Sequence, residues 1–287
     1  MRQGSPLPAV LTATCVSLQS QLDNDNTQCW QYSFCLLAIS RPLGKETFII
    51  DPYFPSRLKK AGYYRCLEFI QFLLEEYSKR ELTYKSDRDT AIRSLLERMS
   101  RELATDVKYG IARCFIGSLL LWKRTAKDMT LPTNFERRTV PSWSWMAYDG
   151  SIEFIDKFRY DLRIPQSTDL GVAQDGKELK VKIRKVENCR LGENKGDNEH
   201  TIKAAHGATE KVGSIWYDMK EKDQIEFNYC AVAGVLGTGS PVNSSYPKSS
   251  LGIVVQEKLG GGGNRRIGVG TVYDGYLSTK SETGRLL

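Results

Sequence analysis

The sequence predicts an α+β fold, with a helical region of about three helices followed by an antiparallel β region. Between residues 63 and 127, apolar side chains recur at helical spacing. Beyond Pro132 the pattern switches to alternation, interrupted by stretches rich in Gly, Asn and Ser. Helices first and strands afterwards read as α+β rather than alternating α/β. The chain has 287 residues, 40% hydrophobic and 26% charged, which reads as soluble, globular and large enough for one large or two medium domains. The expected organisation is a poorly defined N-terminal segment (1–60), a helical region (61–135) and a mainly β region (136–287) with loops at 191–211 and 237–250.

Within 1–60, the run from Asp23 to Gln28 is a polar loop. Gln31 to Ser40 reads equally as a strand or a short buried helix, and Phe48-Ile49-Ile50 as a short strand ended by Asp51-Pro52. The first predicted helix places Leu67, Ile70, Leu73, Leu74 and Tyr77 on one face, with Glu68, Glu75 and Lys79 toward solvent. Ser86 with Asp89 three positions later resembles a helix-opening capping box. The second helix then buries Ile92, Leu95, Leu96, Met99 and Leu103. A third, from about Tyr109 to Ala126, carries a broad apolar set of Ala112, Phe115, Ile116, Leu119, Leu120 and Trp122 and is expected to be central.

In the β half, residues 141–154 suggest a hairpin-like pair. Trp143 and Trp145 stand two apart, so on a strand both rings point to one face. Asp149-Gly150 marks the turn, after which Ile152 and Phe154 resume alternation. Leu179, Val181 and Ile183 alternate with Lys180, Lys182 and Arg184, a strand with a basic outer face. Further strands are expected at about 213–218, 225–235, 251–257 and 266–273, with Gly260 to Gly263 and Asn264 joining the last two. The 191–211 stretch is expected to be a loop and the polar tail from Ser278 frayed.

Charge and cysteine usage narrow the function classes. The 41 basic and 34 acidic side chains give +7, scattered rather than clustered, and no nucleic-acid motif accompanies them, so nucleic-acid binding is disfavoured. No apolar run approaches the ~20 residues that span a bilayer. The polar start from Met1 to Val10 lacks the order of a signal peptide. The seven Cys (15, 29, 35, 66, 114, 189, 230) include no CxxC pair and read as reduced thiols of an intracellular, cytoplasmic protein. Asn243-Ser244-Ser245 fits a glycosylation pattern that carries no weight without a secretory signal.

No stretch yields a catalytic, cofactor-binding or metal-binding set. Gly260 to Gly263 followed by Asn264-Arg265-Arg266 lacks the Lys-Ser/Thr ending and the helix of a phosphate loop, and reads as a hairpin turn. His200 and His206, with Cys189 upstream, fall in a polar loop without the rigid geometry of a Cys–His pair, and are expected at the surface. Glu75 and Glu76 read as solvated helix acids. Asp87, Arg88 and Asp89 read as a helix start favoured by the macrodipole. Trp143 and Trp145 read as core rather than as a stacking platform, packed between the β unit and the third helix.

The ordered series Tyr77-Ser78-Lys79-Arg80-Glu81-Leu82-Thr83, Ser86-Asp87-Arg88, Tyr109-Gly110, Leu120-Leu121-Trp122 and Pro141-Ser142-Trp143-Ser144-Trp145 resembles fungal heterokaryon-incompatibility (HET) domain proteins, in the part that follows their core. Arg266-Ile267-Gly268-Val269-Gly270 is similar to that family's closing strand. The resemblance covers 64–155 well and 212–274 loosely. It makes Tyr77, Arg80, Leu82, Asp87, Arg88, Trp122, Pro141, Trp143 and Trp145 family-motif residues of structural character. The core motifs, Leu-Ser-Tyr-Xaa-Trp-Gly, Cys-Ile-Asp/Asn-Gln and Arg-Gly-Trp-Xaa-Xaa-Gln-Glu, are missing, and Asp89-Thr90-Ala91-Ile92 departs from the usual Leu-Pro-Ala-Leu. Such cores resemble TIR-type domains, for which NAD cleavage is an activity. No residue of that core carries over, so that activity is not expected.

The resemblance implies a truncated or divergent HET-type protein, a non-catalytic scaffold or interaction region linked to fungal non-self recognition and programmed cell death, with a protein as partner. Two alternatives stay open. One is a small-ligand enzyme with a pocket in the β half. The other is a weak nucleic-acid binder using Lys180, Lys182, Arg184, Lys185, Arg265 and Arg266.

Overall fold

A computed structural model describes residues 62–80, 87–125, 140–155, 162–163, 171–172, 177–194, 196, 198–206, 210–219, 228–236, 248–257 and 263–287. The chain divides into two compact units, Met1–Cys66 and Leu67–Leu287. The expectations for 1–60, Leu82, Ser86, Asn243, Gly260 to Gly262 and Cys15, Cys29 and Cys35 lie outside the described residues, as do the side chains of Asp87, Arg88 and Asp89. The described residues form three α-helices and a large, mainly antiparallel β region, the α+β class that the change of periodicity predicts.

Helix α1 (Tyr63–Ser78) buries Leu67, Ile70 and Leu74 on its apolar stripe, and Tyr77 is half-buried. One expectation for it is inverted. Glu75 is only 5% exposed, because its carboxylate accepts the Phe154 amide at 2.9 Å. Helix α2 (Asp87–Leu103) buries Ile92, Leu96, Met99 and Leu103 as its period requires. It stops at Ala104, whose φ of 48° closes the end: the Ala104 amide donates to Arg101 O and the Thr105 amide to Ser100 O.

The predicted third helix is replaced by shorter pieces. Strands β1 (Val107–Lys108) and β2 (Ile111–Ala112) form a hairpin, a 3₁₀ turn follows at Arg113–Phe115, and helix α3 is one turn, Ile116–Leu119. Trp122 then opens strand β3 (Trp122–Arg124). Residues from Ile111 to Trp122 are buried apart from Arg113 and Cys114, and a segment covered on all sides gives its conformation no signature in apolar spacing. The hairpin expected within 141–154 is corrected too. β4 (Ile152–Phe154) pairs with β3, not with the Trp segment, which is a turn followed by a 3₁₀ helix at Trp145–Ala147.

The main sheet contains β5 (Leu162–Arg163), β6 (Gly171–Val172), β7 (Leu179–Val186), β8 (Cys189–Asn194), β9 (Glu199–Ala204), β10 (Lys211–Tyr217), β11 (Tyr229–Leu236), β12 (Ser249–Glu257), β13 (Asn264–Tyr273) and β14 (Leu277–Leu286). Its order is β12-β11-β7-β14-β13-β10-β9-β8, and β12 also pairs with β13 along its whole length. Five strands therefore close on one another, while β10, β9 and β8 extend the sheet from β13. β11 and β7 pair only over Tyr229–Ala231, and the short β5 and β6 pair with the diverging ends.

Three further expectations change. The 191–211 stretch holds most of β8 and all of β9. The 237–250 loop ends early, because β12 begins at Ser249, and 237–247 lie outside the described residues. The tail from Ser278 is a ten-residue strand, β14, paired with β7 from Leu277↔Val186 to Leu286↔Leu179. The alternation in β7 is as read over Leu179, Val181 and Ile183, which are buried; Val186 is buried as well, but out of phase with them. One core joins Val186, Ile202, Ile215, Cys230, Val254, Ile267 and Leu277, and a second joins Leu121, Ala233, Leu251 and Val269.

Candidate functional site

The Trp segment sits at the centre of a buried node that draws on α1, the β1–β2 turn, β3, β4 and β13. The node begins with Tyr109-Gly110, the two residues joining β1 to β2. Their φ angles are 48° and 75°, and positive φ at both central residues is the demand of a tight type I′ hairpin turn. Glycine accepts this freely, whereas a tyrosine there costs about 1–2 kcal/mol. That cost is offset by what the turn touches. Ser144 Oγ donates to Tyr109 O at 2.8 Å, Trp145 Nε1 donates to Gly110 O at 3.4 Å, and the Tyr109 ring meets Trp143 edge-on at 5.8 Å.

Ser144 works in two directions. Its Oγ also accepts the Met146 amide at 3.0 Å, capping the 3₁₀ turn that fixes Trp145. Trp143, Trp145 and Trp122 are all 0% exposed. Each indole N–H has a carbonyl acceptor, Lys177 O for Trp143 at 3.1 Å and Trp143 O for Trp122 at 3.2 Å. Tyr77 of α1 lies edge-on to Trp145 at 6.2 Å. Its neighbour Ser78 accepts the Ile152 amide at 3.0 Å and donates to Glu75 O at 2.7 Å. Glu75 and Ser78 thus hold the N–H groups of Phe154 and Ile152 in β4.

Behind the rings lies a charged cluster. Arg266 of β13 and Asp218, just past β10, are each about 1% exposed. Arg266 Nε donates to Asp218 Oδ2 at 2.8 Å and Nη2 to Oδ1 at 3.2 Å, a two-pronged contact matched to the carboxylate plane. The rest of the fork is also engaged: Nη1 donates to Leu120 O at 2.7 Å and Nη2 to Trp122 O. The guanidinium carbon lies over the Trp122 ring, 3.4 Å from its centroid. Such a desolvated cation–π contact is worth about 2 kcal/mol. Arg124, 2% exposed, donates to Asp218 O at 2.8 Å and to Asp149 O at 2.7 Å, and lies 5.4 Å over Tyr148. Burial pushes the Asp218 carboxyl up against the downward pull of Arg266 and Arg124, and burial also raises the Tyr148 phenol.

Ser142 ties the strand ends to this cluster. Its Oγ accepts the Arg266 amide at 3.1 Å and donates to Leu287 O, and its own amide donates to the same carbonyl at 2.9 Å. Pro141 beside it is buried. Among the family-motif residues, Tyr77, Trp122, Pro141, Trp143 and Trp145 come together in or beside the node. Arg80 is exposed after α1, Leu82 lies outside the described residues, and Asp87 and Arg88 open α2.

Arg266, Asp218, Arg124 and Glu75 escape a sequence-only reading. Arg266 is 48 residues from Asp218, beyond any local spacing, and reads as a surface cation. Gly268 and Gly270 lie on the same strand, beyond a bulge that separates them from Arg266, and a Cβ at either would meet the backbone of β10 at 2.4 and 2.8 Å. Two glycines at alternate positions mark a strand that its ladder neighbour approaches closely. His200 is not on a loop but on β9, half-buried and edge-on to Tyr217 at 5.3 Å, and burial lowers its pKa. His206 is exposed. Cys66, Cys114, Cys189 and Cys230 are free thiols. No three His, Cys, Asp or Glu among the described residues are placed to hold a metal ion, and no described helix is long and apolar enough to cross a membrane.

Chemically, the node is built to hold rather than to react. Asp218 and Arg266 face each other and main-chain carbonyls, and the polar atoms of the three Trp rings donate to carbonyls. No family model matches this chain, and neither a curated protein nor a solved structure matches it.

Proposed function

We propose that this chain is a non-catalytic scaffold or interaction region of the heterokaryon-incompatibility type, serving fungal non-self recognition and cell death through a protein partner. One observation supports the reading above the others. The motif segments that carry the resemblance (Tyr77-Ser78, Tyr109-Gly110, Leu120-Leu121-Trp122, Pro141 to Trp145) are separated in sequence yet interlock in one node through side chains and carbonyls. Residues kept together for packing, each engaged with main chain, suit a structural signature better than a reaction centre. The nucleic-acid alternative loses ground because Arg266 is buried and Arg184 donates to Ser278 O and Leu277 O at 2.6 and 3.1 Å.

The test is conditional expression of the full chain in a filamentous fungus, scored for hyphal compartment death and for the barrage between incompatible strains. Either readout should change with the wild-type chain and not with Trp143→Ala. Unchanged readouts while folded protein accumulates would overturn the proposal.

A further inference from the structure

We draw no further inference here: the strongest candidate, the half-buried apolar patch of Ile155, Trp216 and Leu236 over the second core, with the Lys123 ammonium 5.4 Å from the Trp216 ring centroid, carries nothing because nothing in the structure shows what covers it.

Discussion

Replacing Gly110 by alanine tests the hairpin turn and the ring it supports in one step. The residue has φ of +75°, and an added Cβ would lie 2.4 Å from Trp145 Nε1, 2.8 Å from Cε2 and 3.0 Å from Cζ2. The left-handed backbone costs alanine about 1–2 kcal/mol. The Trp145 ring is 0% exposed, so it has nowhere to retreat without disturbing its edge contact with Tyr77. Overpacking of this kind costs about 1–3 kcal/mol. The total is about 2–5 kcal/mol, measured by urea unfolding followed through tryptophan fluorescence. Two internal controls separate the terms. Gly196 has φ of +94° with nothing within 4 Å of its Cβ position, so Gly196→Ala should show the backbone cost alone. Gly275 has the same open space without positive φ, so Gly275→Ala should change stability by less than about 0.5 kcal/mol. If Gly110→Ala costs no more than Gly196→Ala, the ring yields freely and the account of a rigid turn beneath Trp145 is wrong.

Arg266→Leu should cost about 3–5 kcal/mol, because Asp218 is left buried without its bidentate partner, and adding Asp218→Asn should restore part of the loss in a double-mutant cycle. Cys230, whose thiol burial raises to about 12, should resist iodoacetamide in the native protein at pH 8 and react on unfolding, as followed by mass spectrometry. Burial lowers His200 from its ordinary 6.5, so below that pH the unfolded chain takes up a proton before the folded one does. Its contribution is present above pH 6.5 and is lost as pH falls through the folded value, and His200→Gln should flatten that part of the stability–pH curve.

Legibility followed the distance over which each residue finds its partner. The alternation of β7 and the stripe of α2 are local patterns, and both are as the sequence indicates. Glu75 was misjudged because a carboxylate on a helix is ordinarily solvated, and the amide it accepts belongs to Phe154, 79 residues away. Residues 109–126 read as a helix because apolar residues on all sides look alike in any conformation. Trp143 and Trp145 are buried as expected, but Ser144 caps a 3₁₀ turn there instead of lying in a strand. The polar run from Ser278 looks like a tail because Thr279 to Thr283 are all exposed and so display no alternation.

The Arg266–Asp218 contact also decides which way β13 can lie. A slip of one residue would turn Arg266 to the opposite face and bring Arg265 or Ile267 to the position facing Asp218, 48 residues back along the chain. Ile267 cannot ionise, so the slip that presents it would bury a bare carboxylate at several kcal/mol, whereas the opposite slip would present Arg265. The glycines at 268 and 270 would leave the places where β10 comes too close for a Cβ, and Val269 would enter one of them. A sheet rich in Val, Ile and Gly has many nearly equivalent pairings. The ion pair disfavours the slip that presents Ile267, and the close approach of β10 at Gly268 and Gly270 disfavours slips that would place a side chain there.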